Sequence, residues 1–215
     1  MLISRTQDEL NIRLGDVILK QTNQFEYLGV CCGVKNEMSL ELNHRIEKFN
    51  GTFALLYPLL KDKNISKKVK TILYTNIMRP VLMYGHEVWT LNTKAKSKIQ
   101  ACEMKVLRLI AGVTRMDRVR NEDVRAGLGV ESVLDLVERG QLRWFGHMRR
   151  MNEDRYARRF YEWRPEGRRG VGRPRMRWSD CVGTAMERRG KTMEEVEETM
   201  LYGDRGRWRN FVRDG

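Results

Sequence analysis

Residues 39–60 read SLELNHRIEKFNGTFALLYPLL, and their spacing decides the fold class. Leu42, Ile46, Phe49, Phe53, Leu56 and Leu60 recur every three or four positions. At that period side chains line one face of an α-helix. Lys48 and its polar neighbours lie off the stripe. Pro58 lacks the N–H that continues the backbone ladder, so the helix is expected to kink or end nearby.

Upstream the period shortens. Residues 12–19 hold two β-prone runs on either side of Gly15-Asp16, a hairpin turn signal. Residues 25–30, FEYLGV, read as a third strand, with Gly29 and Gly33 as punctuation. Residues 1–34 are thus a small β segment. So few strands bury little and need a neighbour.

Downstream the helical period returns. Ser66 is an expected N-cap, followed by an apolar face of Val69, Ile72, Leu73, Ile77 and Val81. Lys67, Lys68 and Lys70 crowd the first turn, where positive charge opposes the helix dipole. They are candidate partner contacts, although a solvated face is the commoner explanation. Residues 81–89 are dense in apolar and aromatic side chains, and Arg79-Pro80 interrupts the helical pattern before them. His86 and Glu87 sit among them, and a histidine satisfied in the core is more frequent than a catalytic one. No catalytic residue is assigned.

Thr93 is expected to cap a helix whose stripe is Ile99, Cys102, Val106 and Ile110, widened by Leu107 and Leu109 and ended by Gly112. Asn121 is expected to cap a short helix with Glu122 and Asp123 in its first turn. Ser132 with Asp135 resembles a capping box, as does Thr192 with Glu195. Residues 176–189 are expected to be helical. The fold class is therefore mainly α: a helical bundle, preceded by a small β-hairpin or strand segment and followed by a basic helical C-terminal region.

Residues 141–180, QLRWFGHMRRMNEDRYARRFYEWRPEGRRGVGRPRMRWSD, carry the chemistry. Between residues 143 and 189 there are fourteen Arg, six acidic residues and no Lys, a local excess of +8. The whole chain of 215 residues has a formal net charge of +13. Such a charge favours polyanions: RNA, DNA or an acidic membrane face. Guanidinium groups fork onto phosphates and stack on bases. Arg149, Arg150, Arg168, Arg169, Arg173, Arg175 and Arg177 are the candidate phosphate contacts, with Lys67, Lys68 and Lys70 a weaker set. Trp144 and Trp178 are candidate stacking residues, each equally suited to be a packing anchor. Residues 164–175 are the clearest loop, punctuated by Pro165, Gly167, Gly170, Gly172 and Pro174. The tail at 204–212 repeats the Arg/Trp chemistry on a smaller scale.

Cys31, Cys32, Cys102 and Cys181 form no CxxC pair, and His44, His86 and His147 are far apart, so the spacing proposes neither a zinc site nor a disulfide framework. Reduced thiols in an intracellular protein are expected, with nucleus or cytoplasm left open. No run reaches the roughly 18–20 apolar residues that span a bilayer, so no membrane partner is expected. The N-terminal residues have no signal-peptide pattern, and Leu2-Ile3-Ser4 reads like a strand already under way, as in a piece of a longer protein.

In order along the chain, FEYLGV (25–30), HRIEKFN (44–50), KKVKTILYTNIMRPVLMYGHEVWTL (67–91), EMKVLRLIAGV (103–113), RWFGHMRRM (143–151), GRPRMRWSD (172–180) and DRGRWRNFV (204–212) resemble the C-terminal part of the reverse transcriptases of LINE-type, non-LTR retrotransposons. The resemblance implies a placement for each segment. Residues 1–34 would be the palm edge, with Phe25, Tyr27, Leu28 and Gly29 at the primer-grip position. Residues 35–113 would be a thumb-like helical bundle, 114–163 a helical connection, 164–175 an Arg/Gly/Pro loop and 176–215 a C-terminal helical tail. RNA or an RNA/DNA duplex is the implied partner, with an intact element polymerase acting in trans as another.

The departures bear on activity. The family's paired aspartates hold two divalent metals, which clamp the attacking and leaving oxygens of phosphoryl transfer. This chain has no Asp-Asp pair, and its first 24 residues offer only Asp8, Glu9 and Asp16. The family's fingers, nucleotide site, endonuclease domain and C-terminal Cys/His knuckle have no counterpart either. The expectation is a nucleic-acid binder that is not an enzyme and carries no cofactor or metal. Its affinity would be on the order of micromolar and strongly salt-dependent. A helical protein-interaction module and a decayed element remnant are the alternatives.

Overall fold

Glycines decide where the N-terminal strands turn. In the computed structural model, Arg13–Leu14 (β1) and Val17–Ile18 (β2) pair antiparallel across Gly15, whose φ is +60°. Gln24–Tyr27 (β3) and Val30–Gly33 (β4) pair antiparallel in the same way, with Tyr27 opposite Val30. FEYLGV is therefore not one strand. Leu28 and Gly29, at φ +49° and +80°, make a two-residue hairpin turn that joins two strands. The structure describes residues 12–33, 38–163, 172 and 176–213, and the chain divides into two units, Met1–Tyr84 and Gly85–Gly215. That division falls inside the stretch 35–113 that the resemblance assigns to a single bundle.

In the first unit the hairpin turn is clamped by side chains from far along the chain. Met38–Lys61 (α1) runs through Pro58 and ends three residues later. Its Arg45 donates to the Gly29 carbonyl, lies 5.0 Å above the Tyr84 ring and pairs with Glu41 at 2.6 Å. Glu41 accepts from the Cys31 amide at 2.5 Å, and Tyr84 donates its hydroxyl to the Leu28 carbonyl at 2.8 Å. Both ionic residues are buried, and each finds a partner for its charge. Of the anticipated α1 stripe, Leu42, Phe49 and Leu60 are in the core, and Ile46, Phe53 and Leu56 are half-buried.

Lys67–Leu73 (α2), a π-helical turn at Tyr74–Met78, and Arg79–Met83 (α3) form one continuous helical run. Ser66 caps it by accepting from the Val69 amide at 3.3 Å, as its position predicts. Its buried face differs from the sequence reading. Val69, Ile72 and Ile77 are exposed, whereas Lys70, Tyr74, Met78 and Leu82 are buried. The wide turn, in which Arg79 donates back to Tyr74, keeps residues four apart on one face. A constant 3.6-residue period therefore misplaces Val69, Ile72 and Ile77, while Leu73 and Val81 remain half-buried.

Every regular element among the second unit's described residues is helical. After a 3-10 turn at His86–Val88 come Thr93–Ala111 (α4), Asn121–Leu128 (α5), Val133–Arg149 (α6), Tyr156–Glu162 (α7), Trp178–Glu187 (α8), Met193–Glu198 (α9), a 3-10 turn at Leu201–Gly203, and Arg205–Arg213 (α10). The cap of α4 is Asn92 rather than Thr93: its side chain accepts from the Ala95 amide at 2.9 Å. Asn121 does not cap α5, because its side-chain oxygen is held by Arg108 at 2.9 Å, and Arg120 takes the cap position. Gly112 ends α4 at φ +78°, and Thr192 and Glu195 form the full reciprocal capping box of α9.

Helices α4, α5 and α6 are tied together by one carboxylate. Glu103 is fully buried; it accepts from Arg125 at 2.9 and 2.5 Å and from the Val133 amide at 2.9 Å. The C-terminal core gathers Leu142, Phe145 and Met148 of α6 against Val182, Met186, Val196, Tyr202, Trp208 and Val212.

Candidate nucleic-acid interface

The candidate interface begins with two glycines inside α6, a place where glycine costs about 1 kcal/mol relative to alanine. A Cβ on Gly140 would lie 2.2 Å from His86, and one on Gly146 would lie 2.1 Å from the Trp208 indole nitrogen. Both glycines are therefore there for close approach. His86 lies on Gly140 as a packing residue, edge-on to Trp89 at 6.5 Å. At Gly146 the Trp208 ring seats directly on the α6 backbone, and its N–H donates to the Leu142 carbonyl at 3.0 Å. That contact lays α10 against α6.

Two arginine rows then face one cleft. On α6, Arg139, Arg143 and the C-cap residue Arg150 follow helical spacing, with Gly146 within the row. On α10, Arg205, Arg209 and Arg213 repeat every fourth residue, flanking Trp208 and Val212. These six arginines line a cavity of about 530 Å³ with Trp208 and Val212. Asp204 starts α10 by accepting from the Gly206 and Arg207 amides at 2.7 and 3.0 Å. The amide of Arg207, and after it that of Gly206, hold the Asp204 carboxyl below the usual carboxylate range.

The charge in the cleft is poorly neutralised. Arg139 pairs with Glu131, but among the described residues no carboxylate lies within ion-pair distance of Arg143, Arg150, Arg205 or Arg209. The Nε groups of Arg139 and Arg150 are buried without a hydrogen-bond partner among the described residues. Burial, and then the like charge of Arg205, pull the Arg150 pKa below the usual arginine value, yet a guanidinium keeps its proton at neutral pH. Like charges held this close repel one another, and a polyanion relieves the repulsion.

The residues singled out in the sequence are dispersed. Arg150 lines the cleft and also donates to the Tyr202 carbonyl at 2.7 Å. Arg149 is held by protein groups: Glu162 at 3.0 Å, the Tyr202 hydroxyl at 3.1 Å and Glu197 at 3.8 Å, with the Tyr202 ring 5.1 Å below. Burial works against its charge, but Tyr202, Glu197 and Glu162 outweigh it and hold its pKa up. Arg177 is exposed at the start of α8. Arg168, Arg169, Arg173 and Arg175 lie outside the described residues. In the first unit Lys67 and Lys68 are exposed, but Lys70 is only 9% exposed.

Trp178 donates its N–H to the Glu87 carbonyl at 2.7 Å and meets Tyr161 edge-on at 5.9 Å, so it is a packing anchor. Trp144 is half-buried, 5.6 Å from the exposed His147. Phe25, Tyr27 and Leu28 are exposed on the β3–β4 hairpin, and Gly29 is its turn. Among the described residues no group of three or more His, Cys, Asp or Glu is placed to hold a metal ion. No helix among them is long and apolar enough to cross a membrane.

Sequence reasoning missed Arg139, Arg143, Arg205, Arg209 and Arg213. Their four-residue spacing, Arg139-x3-Arg143 and Arg205-x3-Arg209-x3-Arg213, was the available signal.

No family model matches the chain, and no solved structure matches it. Similarity to known proteins comes from mobile elements. An uncharacterized transposon-derived protein of Caenorhabditis elegans is 28% identical over 205 residues, covering 91% of this chain and 72% of that protein. A probable RNA-directed DNA polymerase from transposon BS of Drosophila melanogaster is 25% identical over 156 residues, covering 72% of this chain. The RNA-directed DNA polymerase from the mobile element jockey of the same fly is 26% identical over 137 residues, covering 63% of this chain. The matches span only 17% and 15% of those two polymerases. The chain is thus distantly similar to the RNA-directed DNA polymerases of non-LTR retrotransposons and to a transposon-derived protein.

Proposed function

We propose that this chain is a nucleic-acid-binding module, related to the thumb and post-thumb part of a non-LTR reverse transcriptase, that grips the phosphate backbone of RNA or an RNA/DNA duplex in the α6–α10 cleft. The observation that carries this reading is the set of six arginines from two helices around one cavity, four of which, Arg143, Arg150, Arg205 and Arg209, have no carboxylate within ion-pair distance among the described residues. Nothing in the core requires such a concentration of like charge, and phosphates match it. The absence of an Asp-Asp pair supports binding without polymerisation by this chain alone.

The experiment is a fluorescence anisotropy titration of labelled duplex RNA with the wild type and with Arg205→Glu/Arg209→Glu/Arg213→Glu. Charge reversal at three exposed positions abolishes binding while the far-UV circular dichroism stays unchanged. Binding by the reversed variant at wild-type affinity would overturn the reading.

A second role is favoured by the first unit. Leu14, Val17, Ile18, Phe25, Tyr27 and Leu28 leave both hairpins with apolar side chains in solvent. Such a surface suits a protein contact, for which an intact element polymerase in trans is the proposed partner.

A further inference from the structure

The loop between α4 and α5 is braced from within and displays its side chains outward. Arg108 of α4 holds both of its ends. It donates to the Thr114 carbonyl at 3.1 Å, the Val119 carbonyl at 2.8 Å and the Asn121 side chain at 2.9 Å. Across the middle, the Asp117 carboxylate accepts from the Thr114 amide at 2.6 Å and from the Thr114 hydroxyl at 2.9 Å. Those two bonds, the amide first, hold the Asp117 carboxyl below its usual range. The Arg118 amide closes the turn on the Arg115 carbonyl at 3.3 Å.

Three features of this loop serve no contact within the fold. Met116 is 87% exposed, more than any other large apolar side chain among the described residues. Arg118 has a φ of +53°, a left-handed backbone that glycine or asparagine adopts at lower cost. Arg115, Arg118 and Arg120 are exposed, and among the described residues no carboxylate lies within ion-pair distance of them. The nearby acids are otherwise placed. Asp117 turns to Thr114, and Glu122 and Asp123 lie in the first turn of α5, where the helix dipole favours them. A strained backbone that carries an arginine where asparagine would be easier points to a use for the guanidinium.

The combination selects the partner. Proteins that enter a groove of double-stranded nucleic acid insert an apolar wedge between base steps and set cationic side chains beside it. A wedge has to be stiff to part stacked bases, and the bonds of Arg108 and Asp117 make it so. An acidic protein surface would use the arginines and ask nothing of the methionine. An apolar protein surface would use the methionine and bury cations without partners.

We infer that the loop at 113–120 is a groove wedge for double-stranded nucleic acid, with Met116 pressed between neighbouring base pairs and Arg115, Arg118 and Arg120 on the flanking phosphates. The wedge rests on the nucleic-acid reading above for its class of partner and adds a second contact to it. The α6–α10 cleft holds backbone, whereas the loop distorts the stack.

The test titrates the full chain into an end-labelled duplex of about 20 base pairs at about 0.15 M salt. One strand carries an adenine analogue whose fluorescence is quenched by stacking, and anisotropy of the end label gives the affinity. Wild-type binding raises the analogue's fluorescence. Met116→Ala binds within about threefold of wild type but abolishes the rise, and Met116→Leu keeps it. Arg118→Asn weakens binding by roughly 3- to 10-fold, yet its urea midpoint equals or exceeds that of wild type, because asparagine accepts the left-handed backbone. Wild-type binding without a rise, or a full rise with Met116→Ala, overturns the wedge. So does Arg118→Asn binding as tightly as wild type, which assigns the loop to a protein partner. A lower urea midpoint for Arg118→Asn overturns the reading of Arg118 as held under strain for its charge. The cleft is judged separately: its charge-reversal variant loses affinity with the loop intact, and Met116→Ala loses the signal with the cleft intact. No duplex binding by the wild type overturns both.

Discussion

Replacing Arg205, Arg209 and Arg213 together with alanine removes half of the six arginines that line the α6–α10 cleft. Each guanidinium on a duplex phosphate releases counterions, and log K falls against log salt with a slope of about −0.9 per contact. Six contacts give a slope of about −5, and the pairing of Arg139 with Glu131 moves it toward the value for five. Three contacts give about −3. Between about 50 and about 200 mM salt, the wild type then loses on the order of 10³ in affinity and the variant roughly 40-fold. The fold tolerates the change, because the three arginines are exposed while Trp208 and Val212, which hold α10 in place, are untouched. Surface substitutions of this kind stay within about 0.5 kcal/mol. The assay is fluorescence anisotropy with a labelled duplex across a salt series, with urea unfolding as the control. A wild-type slope shallower than about −2, or a variant slope equal to the wild type's, refutes the cleft as the phosphate site.

Gly146→Ala drives a Cβ into the Trp208 ring at 2.1 Å, so it costs about 1–3 kcal/mol in urea unfolding and weakens duplex binding with it; wild-type stability would contradict the seating of α10 described above. Glu103→Gln leaves the Arg125 guanidinium in the core without its counter-charge, a loss of about 3–5 kcal/mol, and a measured loss under about 1 kcal/mol would show that the pair is not the tie between α4, α5 and α6. Gly29→Ala meets both a φ of +80° and the Tyr84 ring at 3.4 Å, and destabilises the first unit by about 1–2 kcal/mol. The Asp204 carboxyl has a folded pKa below its unfolded value of about 3.9. Its stabilisation is therefore complete above that value and lost as pH falls through the folded pKa. Asp204→Asn removes this acid-side loss, so the gap in unfolding midpoint between wild type and variant narrows from about pH 6 to about pH 3; a constant gap refutes the linkage.

The helices and most of their ends could be read from the chain because their causes are local. Leu42, Phe49 and Leu60 keep helical spacing, Gly112 supplies the left-handed residue that ends α4, and Thr192 with Glu195 caps α9 within four residues. Where an end depended on a distant partner, the reading slipped. Asn121 looks like a cap until Arg108 takes its side chain. The common face of α2 and α3 was read only in part because a π-helical turn between them changes the period. FEYLGV looks like a strand because Leu28 is β-tolerant, yet the following glycine lets the chain reverse there.

The functional chemistry divides along the same line. Composition and the arginine count are properties of the chain alone, and the proposed class of partner rests on them: an excess of positive charge attracts a polyanion however the chain is folded. Which arginines are available for it is a tertiary matter. Arg149, conspicuous in the sequence, is occupied by Glu162 and Tyr202, which lie 13 and 53 residues away. Arg143 and Arg209 belong to helices that meet only because the Trp208 ring fits over Gly146, where no side chain stands in the way. Spacing can place an arginine on a face of its own helix, but it carries no information about the second helix that turns that face into a cleft.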